Sequence, residues 1–223
     1  MPDLPRGLGH VCFDASPLIH FADAGELAWL GTWFQPRAFT AEVVTAIELP
    51  KRKGKYAGVD EILVLPWLQS VQVEREEDVR FVARLLALWG SDPGRDHGEA
   101  EVVAICRRHG WTAIMDDRRG RDAATRERVG WATTSTMIVA AAAATHASVD
   151  ELWDVYKRVL GRLERPAIPT TDNYLSAFKK AVRGIQRIIN ASDDDPWPNV
   201  LANPQLEKLV TCATAQRRVE LGE

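Results

Sequence analysis

Asp14, Glu48, Glu99 and the Asp116-Asp117 pair are the residues whose types and spacing could do chemistry together. Each alone is ordinarily a solvated acid or a favourable negative charge in the first turn of a helix. Their places in the chain suggest more. Asp14 ends the apolar run Val11-Cys12-Phe13, the aspartate pair ends Thr112-Ala113-Ile114-Met115, Glu99 opens a helical stretch, and Glu48 lies in another. In an open parallel sheet the ligand crevice sits at the carboxyl ends of the strands. Acids gathered there repel and raise one another's pKa unless a cation neutralises them. A site offering only oxygens selects a hard ion such as Mg2+ or Mn2+. The matching chemistry is activation of water for in-line displacement at phosphorus, that is, phosphodiester hydrolysis.

The elements that must position these acids can be read from periodicity. Val11–Phe13 is an expected buried strand, followed by a turn and one helix over Leu18–Trp33. Ala38–Thr40 is a second expected strand, with Thr40 as N-cap of a helix carrying Val43, Val44, Ile47 and Glu48. Ile62–Leu65 and Val71–Val73 are further strand candidates. Helices are expected over Glu76–Trp89 and Glu99–His109, a strand over Thr112–Met115, a basic helix over Arg118–Arg128, a strand over Trp131–Thr134 and an alanine-rich helix from Thr136. Alternation of strand and helix predicts an α/β fold with a parallel sheet. Beyond Ala147 strand signals stop, and two amphipathic helices are expected around Leu152–Leu163 and Tyr174–Ile189, before a tail that begins as a loop and ends in a weak helix.

The chain has 223 residues, 46% of them hydrophobic and 26% charged, which suits one sizeable core with an appendage. Its 28 basic and 31 acidic side chains give a formal net charge of -3, so nucleic acid cannot be held by whole-chain charge and would need a local patch. The three cysteines, Cys12, Cys106 and Cys212, lack zinc-ligand spacing and suggest a reducing, cytoplasmic setting. The N-terminal segment lacks the basic stretch of a signal peptide. The apolar run Met137–Ala144 falls well short of the roughly 20 residues that span a bilayer. No membrane partner is expected.

Four stretches in order, Val11-Cys12-Phe13-Asp14-Ala15-Ser16-Pro17, Val44 to Glu48-Leu49, Gly98-Glu99-Ala100-Glu101 and Ile114-Met115-Asp116-Asp117-Arg118-Arg119-Gly120-Arg121, resemble a PIN domain, in the branch carrying GEAE and DDRRGR signatures. The resemblance implies a three-layer α/β/α fold with a central parallel sheet over residues 8–148 and a C-terminal helical extension and tail over 149–223. It also implies a divalent-metal site that cleaves RNA, in a family whose relatives include toxins of toxin-antitoxin pairs. Carried over by position, Asp14, Glu48, Glu99 and Asp117 are the catalytic acids, and Asp14, Glu99, Asp116 and Asp117 the metal ligands, with Asp116 a rival to Asp117. Ser16, Glu42, Glu101, Thr134 and Ser135 are accessory, and Glu42 competes with Glu48 as the second acid. Implied partners are RNA, an antitoxin protein and a second copy of the chain.

Arg118, Arg119 and Arg121 could hold the RNA backbone beside an acidic cleft, or could pair with Asp116, Asp122 and Glu127 on a solvated helix. His97 is the histidine nearest the acids in sequence, and most of the eight tryptophans are expected in the core. Two other readings stand beside the nuclease. One is a PIN-like scaffold whose acids do not catalyse and whose helical extension engages a partner. The other, an aspartyl phosphatase or receiver domain, wants a late lysine that the sequence near Thr134–Met137 lacks.

Overall fold

The computed structural model describes residues 9–34, 38–90, 96–144, 148–161, 167–191, 201, 203 and 205–222. They form two compact units, Gly9–Trp131 and a second that begins at Ala132. The fold class is α/β with a helical C-terminal part, as the sequence predicts.

The first unit is built on β1 (Val11–Phe13), β2 (Ala38–Ala41), β3 (Leu68–Val71) and β4 (Thr112–Ile114), and its boundary falls within β5 (Trp131–Ala132); the sheet order is β3-β2-β1-β4-β5. Strand β1 runs parallel to β2 and β4, and β2 parallel to β3. All three residues of β1 are fully buried, which is why the central strand reads as an uninterrupted apolar run. Phe13 faces Thr40 in β2 and Ile114 in β4, so β1 and β4 end at one level while β2 runs one residue further, Ala41 facing Val71 of β3. The Thr40 hydroxyl donates to the Phe13 carbonyl at 2.8 Å. Thr40 is therefore a strand residue that bonds a neighbouring strand, and the expected helix cap is not formed there.

Helix α1 spans Ala15–Asp23 and α2 spans Leu27–Phe34, where a single helix is expected from periodicity. The break is Gly25 at φ +71°: its N–H donates to Ala22 and that of Glu26 to Phe21, the two bonds of a Schellman ending. After β2 the chain makes a π turn over Val44–Glu48 in place of the expected α-helix, with the Leu49 N–H bonded to Val44 five residues back. Ile62–Leu65 is a second correction. Short helix α3 (Val59–Ile62) and turns occupy it, leaving Val64 78% exposed. The strand nearby is Leu68–Val71, ending two residues before the expected Val73. A short apolar run fits a strand or a buried turn equally well by periodicity.

Helix α4 spans Glu76–Trp89, α5 spans His97–His109 and α6 spans Arg118–Arg126. Helix α5 packs against β1, β2 and β4, with Val102, Val103 and Cys106 buried. Cys12 and Cys106 are free and buried, and Cys212 is free and exposed.

The second unit holds α7 (Thr134–Ala143), α8 (Val149–Leu160), α9 (Leu175–Ala191) and α10 (Gln205–Leu221). Every residue of α7 is buried, and its alanines carry little bulk where α8, α9 and α10 pack on it. Trp153, Tyr156 and Phe178 form an aromatic cluster between α8 and α9, with ring centres 5.2–5.4 Å apart. Helix α10 is longer than the weak tail helix expected, burying Leu206, Val210, Ala213 and Thr214 along one face. The loop expected to open the tail lies outside the described residues. No helix among the described residues is long and apolar enough to cross a membrane.

Candidate metal centre

Asp14 follows the last residue of β1 and occupies the N-cap position of α1, only 1% exposed. Its side chain makes no capping bond, and neither carboxylate oxygen has a hydrogen-bond partner among the described residues. Burial pushes its pKa well above the usual aspartate range, and the charges of Glu99 and Glu48 push the same way. The dipoles of the Ala15 and Ser16 N–H groups offset only part of this. A buried carboxyl this poorly partnered costs free energy that a fold without another use for it would shed.

Glu99 stands in the first turn of α5, and its pKa is pushed up to about 7. Burial is the main cause. Its own N–H pulls the value down, while Glu48, Asp96 and Asp117 raise it. Glu48 closes the π turn and accepts the Gly98 N–H at 2.9 Å. Glu42, the other candidate for second acid, is exposed. The π turn accounts for the difference, since an added residue per turn rotates whatever follows it.

Each of the remaining predicted residues has its own local setting. Asp117 caps α6, its Oδ1 accepting the Arg119 N–H at 2.7 Å. Asp116 Oδ2 lies 3.3 Å from Nδ1 of His20, a residue that sequence spacing gives no reason to single out because its partner is far along the chain. Ser16 is half-buried in the first turn of α1. Glu101 is half-buried, its carboxyl raised mainly by burial and by Glu48 and Glu42, and lowered by the Val43 N–H. With His97 it borders an apolar hollow of about 200 Å3 against Val79, Val82 and Leu86 of α4. Thr134 and Ser135 are buried at the start of α7, where Ser135 Oγ lies 3.2 Å from the Tyr156 hydroxyl oxygen.

As placed, no three His, Cys, Asp or Glu side chains among the described residues stand close enough to hold a metal ion. Glu48 is turned onto Gly98, Asp116 toward His20 and Asp117 onto Arg119. The chemistry of the donors nevertheless fits a hard divalent cation. Two carboxyls raised by burial and by neighbouring acids, Asp14 by Glu99 and Glu48 and Glu99 by Glu48, one of them buried without a hydrogen-bond partner, are relieved by positive charge.

Residues 10–164 match the family model described as the PIN domain. The chain belongs to the PIN domain family. No curated protein and no solved structure matches it. PIN domains are generally nucleases, so a hydrolase of nucleic acid is the coarse functional class. In this PIN domain the arginines after Asp117 are engaged. Arg118 is 3.5 Å from Asp122 and Arg119 is 2.9 Å from Asp96. Arg121 donates to the Asp117 carbonyl at 3.3 Å and lies over the Trp131 ring. The Arg118–Asp122 pair is mostly exposed, and such pairs hold weakly enough to exchange for phosphate.

Proposed function

We propose that this PIN domain is a divalent-metal-dependent endoribonuclease, acting as the toxin of a toxin-antitoxin pair. The observation that carries the reading is Asp14: a carboxyl buried to 1% exposure, unpartnered, and flanked by the charges of Glu99 and Glu48. Asp14, Glu99 and Asp117 would hold Mg2+ or Mn2+ with Glu48 as the fourth acid, and Asp116 is the alternative to Asp117. The chemistry supplied by such an ion when bound is Lewis-acid activation of water and neutralisation of charge at phosphorus. The chain's own residues do the rest. Burial around Asp14 excludes competing solvent, and the half-buried Ser16 hydroxyl lies two residues from Asp14, within reach of a ligand or water. Arg118, Arg119 and Arg121 offer guanidinium groups to the RNA backbone on the helix that Asp117 caps. As a toxin the protein would be silenced by an antitoxin protein, and it would act as a homodimer.

A second reading, a scaffold that binds a partner through its helical extension, draws support from the engagement of Glu48, Asp116 and Asp117 by protein groups. One experiment separates the two. Thermal unfolding in EDTA and in millimolar Mn2+ should show manganese stabilisation for the nuclease, because a ligand bound only to the folded state raises Tm. Cleavage of a fluorescent RNA should require the same ion. An unchanged Tm together with intact RNA would sink the nuclease and leave the scaffold.

A further inference from the structure

Gly98 is the second residue of α5, one position before Glu99, and it is buried. A β-carbon built on it would fall 2.7 Å from both Cδ and Oε1 of Glu48 and nearer still to Oε2. A real β-carbon essentially never sits that close to a neighbour, so the Glu48 carboxylate, the far end of a flexible side chain that the Gly98 N–H holds at 2.9 Å, would have to swing away. Gly98 lies outside the left-handed glycines, so no strained φ demands a glycine here. The space it leaves is filled by Glu48.

The N-terminus of α5 explains why Glu48 goes there. Asp96 occupies the N-cap position with the residue type that usually caps, yet its side chain makes no capping bond and pairs instead with Arg119 at 2.9 Å. The free N–H groups of a first helical turn need an acceptor and favour negative charge. Glu48, fifty residues earlier in the chain, supplies both to Gly98, and Glu99 is drawn by its own N–H beside it.

We propose that Gly98 is a positioning residue of the metal centre: its missing side chain forms the socket that seats the Glu48 carboxylate on α5 next to Glu99. This rests on the nuclease reading for its purpose, though not for its geometry. Any residue with a β-carbon at 98 evicts Glu48 and removes the fourth acid without touching the other three.

A double-mutant cycle tests the socket in EDTA and the centre in manganese. Gly98→Ala should lower Tm in EDTA by several degrees, and that loss should largely vanish in a Glu48→Ala background, where the obstructing carboxylate is gone. In millimolar Mn2+, Gly98→Ala should lose most of the stabilisation that the parent shows, and Glu48→Asp in the Gly98→Ala chain, one methylene shorter, should restore part of it. Equal losses from Gly98→Ala in both backgrounds would overturn the proposal, because the alanine would then be resisted by something other than Glu48. Full manganese stabilisation in Gly98→Ala would overturn it as well. If Gly98→Ala alone does not fold, the double variant with Glu48→Ala decides: folding supports the socket and failure refutes it. A parent that gains nothing from manganese refutes the nuclease reading, while the cycle in EDTA still decides whether Gly98 seats Glu48.

Discussion

The backbone N–H of Asp14 donates to the Ile114 carbonyl at 3.0 Å. The residue that carries the buried carboxyl is thus the last rung between the two central strands, held by the ladder rather than by its own side chain. Asn at 14 keeps that rung and the side-chain volume while removing the charge. Asp14→Asn should therefore melt in EDTA no lower than the parent, and higher at neutral pH, while manganese no longer raises its Tm and RNA cleavage is lost. Thermal scans with and without the ion, beside a cleavage assay, check all three.

Glu99 gives the apo protein a pH dependence whose sign follows from its raised pKa of about 7. Between the ordinary value of 4.5 and about 7 the folded state holds a proton that the unfolded chain has released, so stability falls as pH rises through that window. Glu99→Gln lacks this dependence. Urea titrations in EDTA should show the variant gaining on the parent from pH 4.5 to about pH 7, by at most about 3 kcal/mol. A difference between the two that stays constant with pH would count against the burial assigned to Glu99.

In the second unit, Tyr156 is fully buried and its hydroxyl both accepts the Ile168 N–H at 2.9 Å and reaches the Ile168 carbonyl at 3.1 Å. Tyr156→Phe leaves those buried backbone groups without a partner, which costs about 1–3 kcal/mol. The urea midpoint should fall accordingly with an unchanged slope.

Glu207 of α10 accepts the Thr133 N–H at 3.1 Å and its hydroxyl at 2.9 Å, at the N-terminus of α7. Thr133 in turn accepts the Thr136 N–H at 3.2 Å. Glu207→Ala should cost about 1–2 kcal/mol, more than Glu220→Ala, whose ion pair with Arg217 is exposed and worth at most about 1 kcal/mol. Equal costs in chemical denaturation would show that the cap contributes nothing.

Arg118, Arg119 and Arg121 should contribute to RNA affinity without sequence preference. Replacing each by Gln should weaken binding of single-stranded RNA to a similar extent across sequences. The dependence of log K on log salt should flatten by about 0.7 for each phosphate that is no longer neutralised. Fluorescence anisotropy at several salt concentrations reads both, and an unchanged slope would leave these arginines to their ion pairs.

Much of this architecture is legible from local pattern. The run Val11–Phe13, helix α4 with its glycine stop and the amphipathic α8 and α9 follow from periodicity and end signals alone. What pattern misses is settled by partners far away in the chain. Thr40 has the composition of a helix cap, yet its hydroxyl finds the Phe13 carbonyl, because β2 lies beside β1. Ile62–Leu65 is apolar enough for a strand, but the edge position falls to Leu68–Val71. At the candidate site the sequence singles out Asp14, Glu48 and Glu99, whose charges the fold brings within reach of one another, and leaves Glu42 as a rival to Glu48. The ranking depends on a π turn, and no residue spacing announces one. Gly98 and His20 are silent in the sequence for a similar reason: each matters through a side chain that only folding brings near.

The three thiols divide into a reporter and a concealed pair. Cys212 sits exposed on α10, whereas Cys12 and Cys106 are buried against one another in the first unit, where burial holds the Cys12 thiol well above its usual range. A maleimide dye should therefore couple first to the C-terminal helix of the native chain, with no engineered cysteine. Labelling of the other two then requires the sheet to open, so their slower rate clocks the breathing of the first unit while Cys212 gives the rate of an already open thiol.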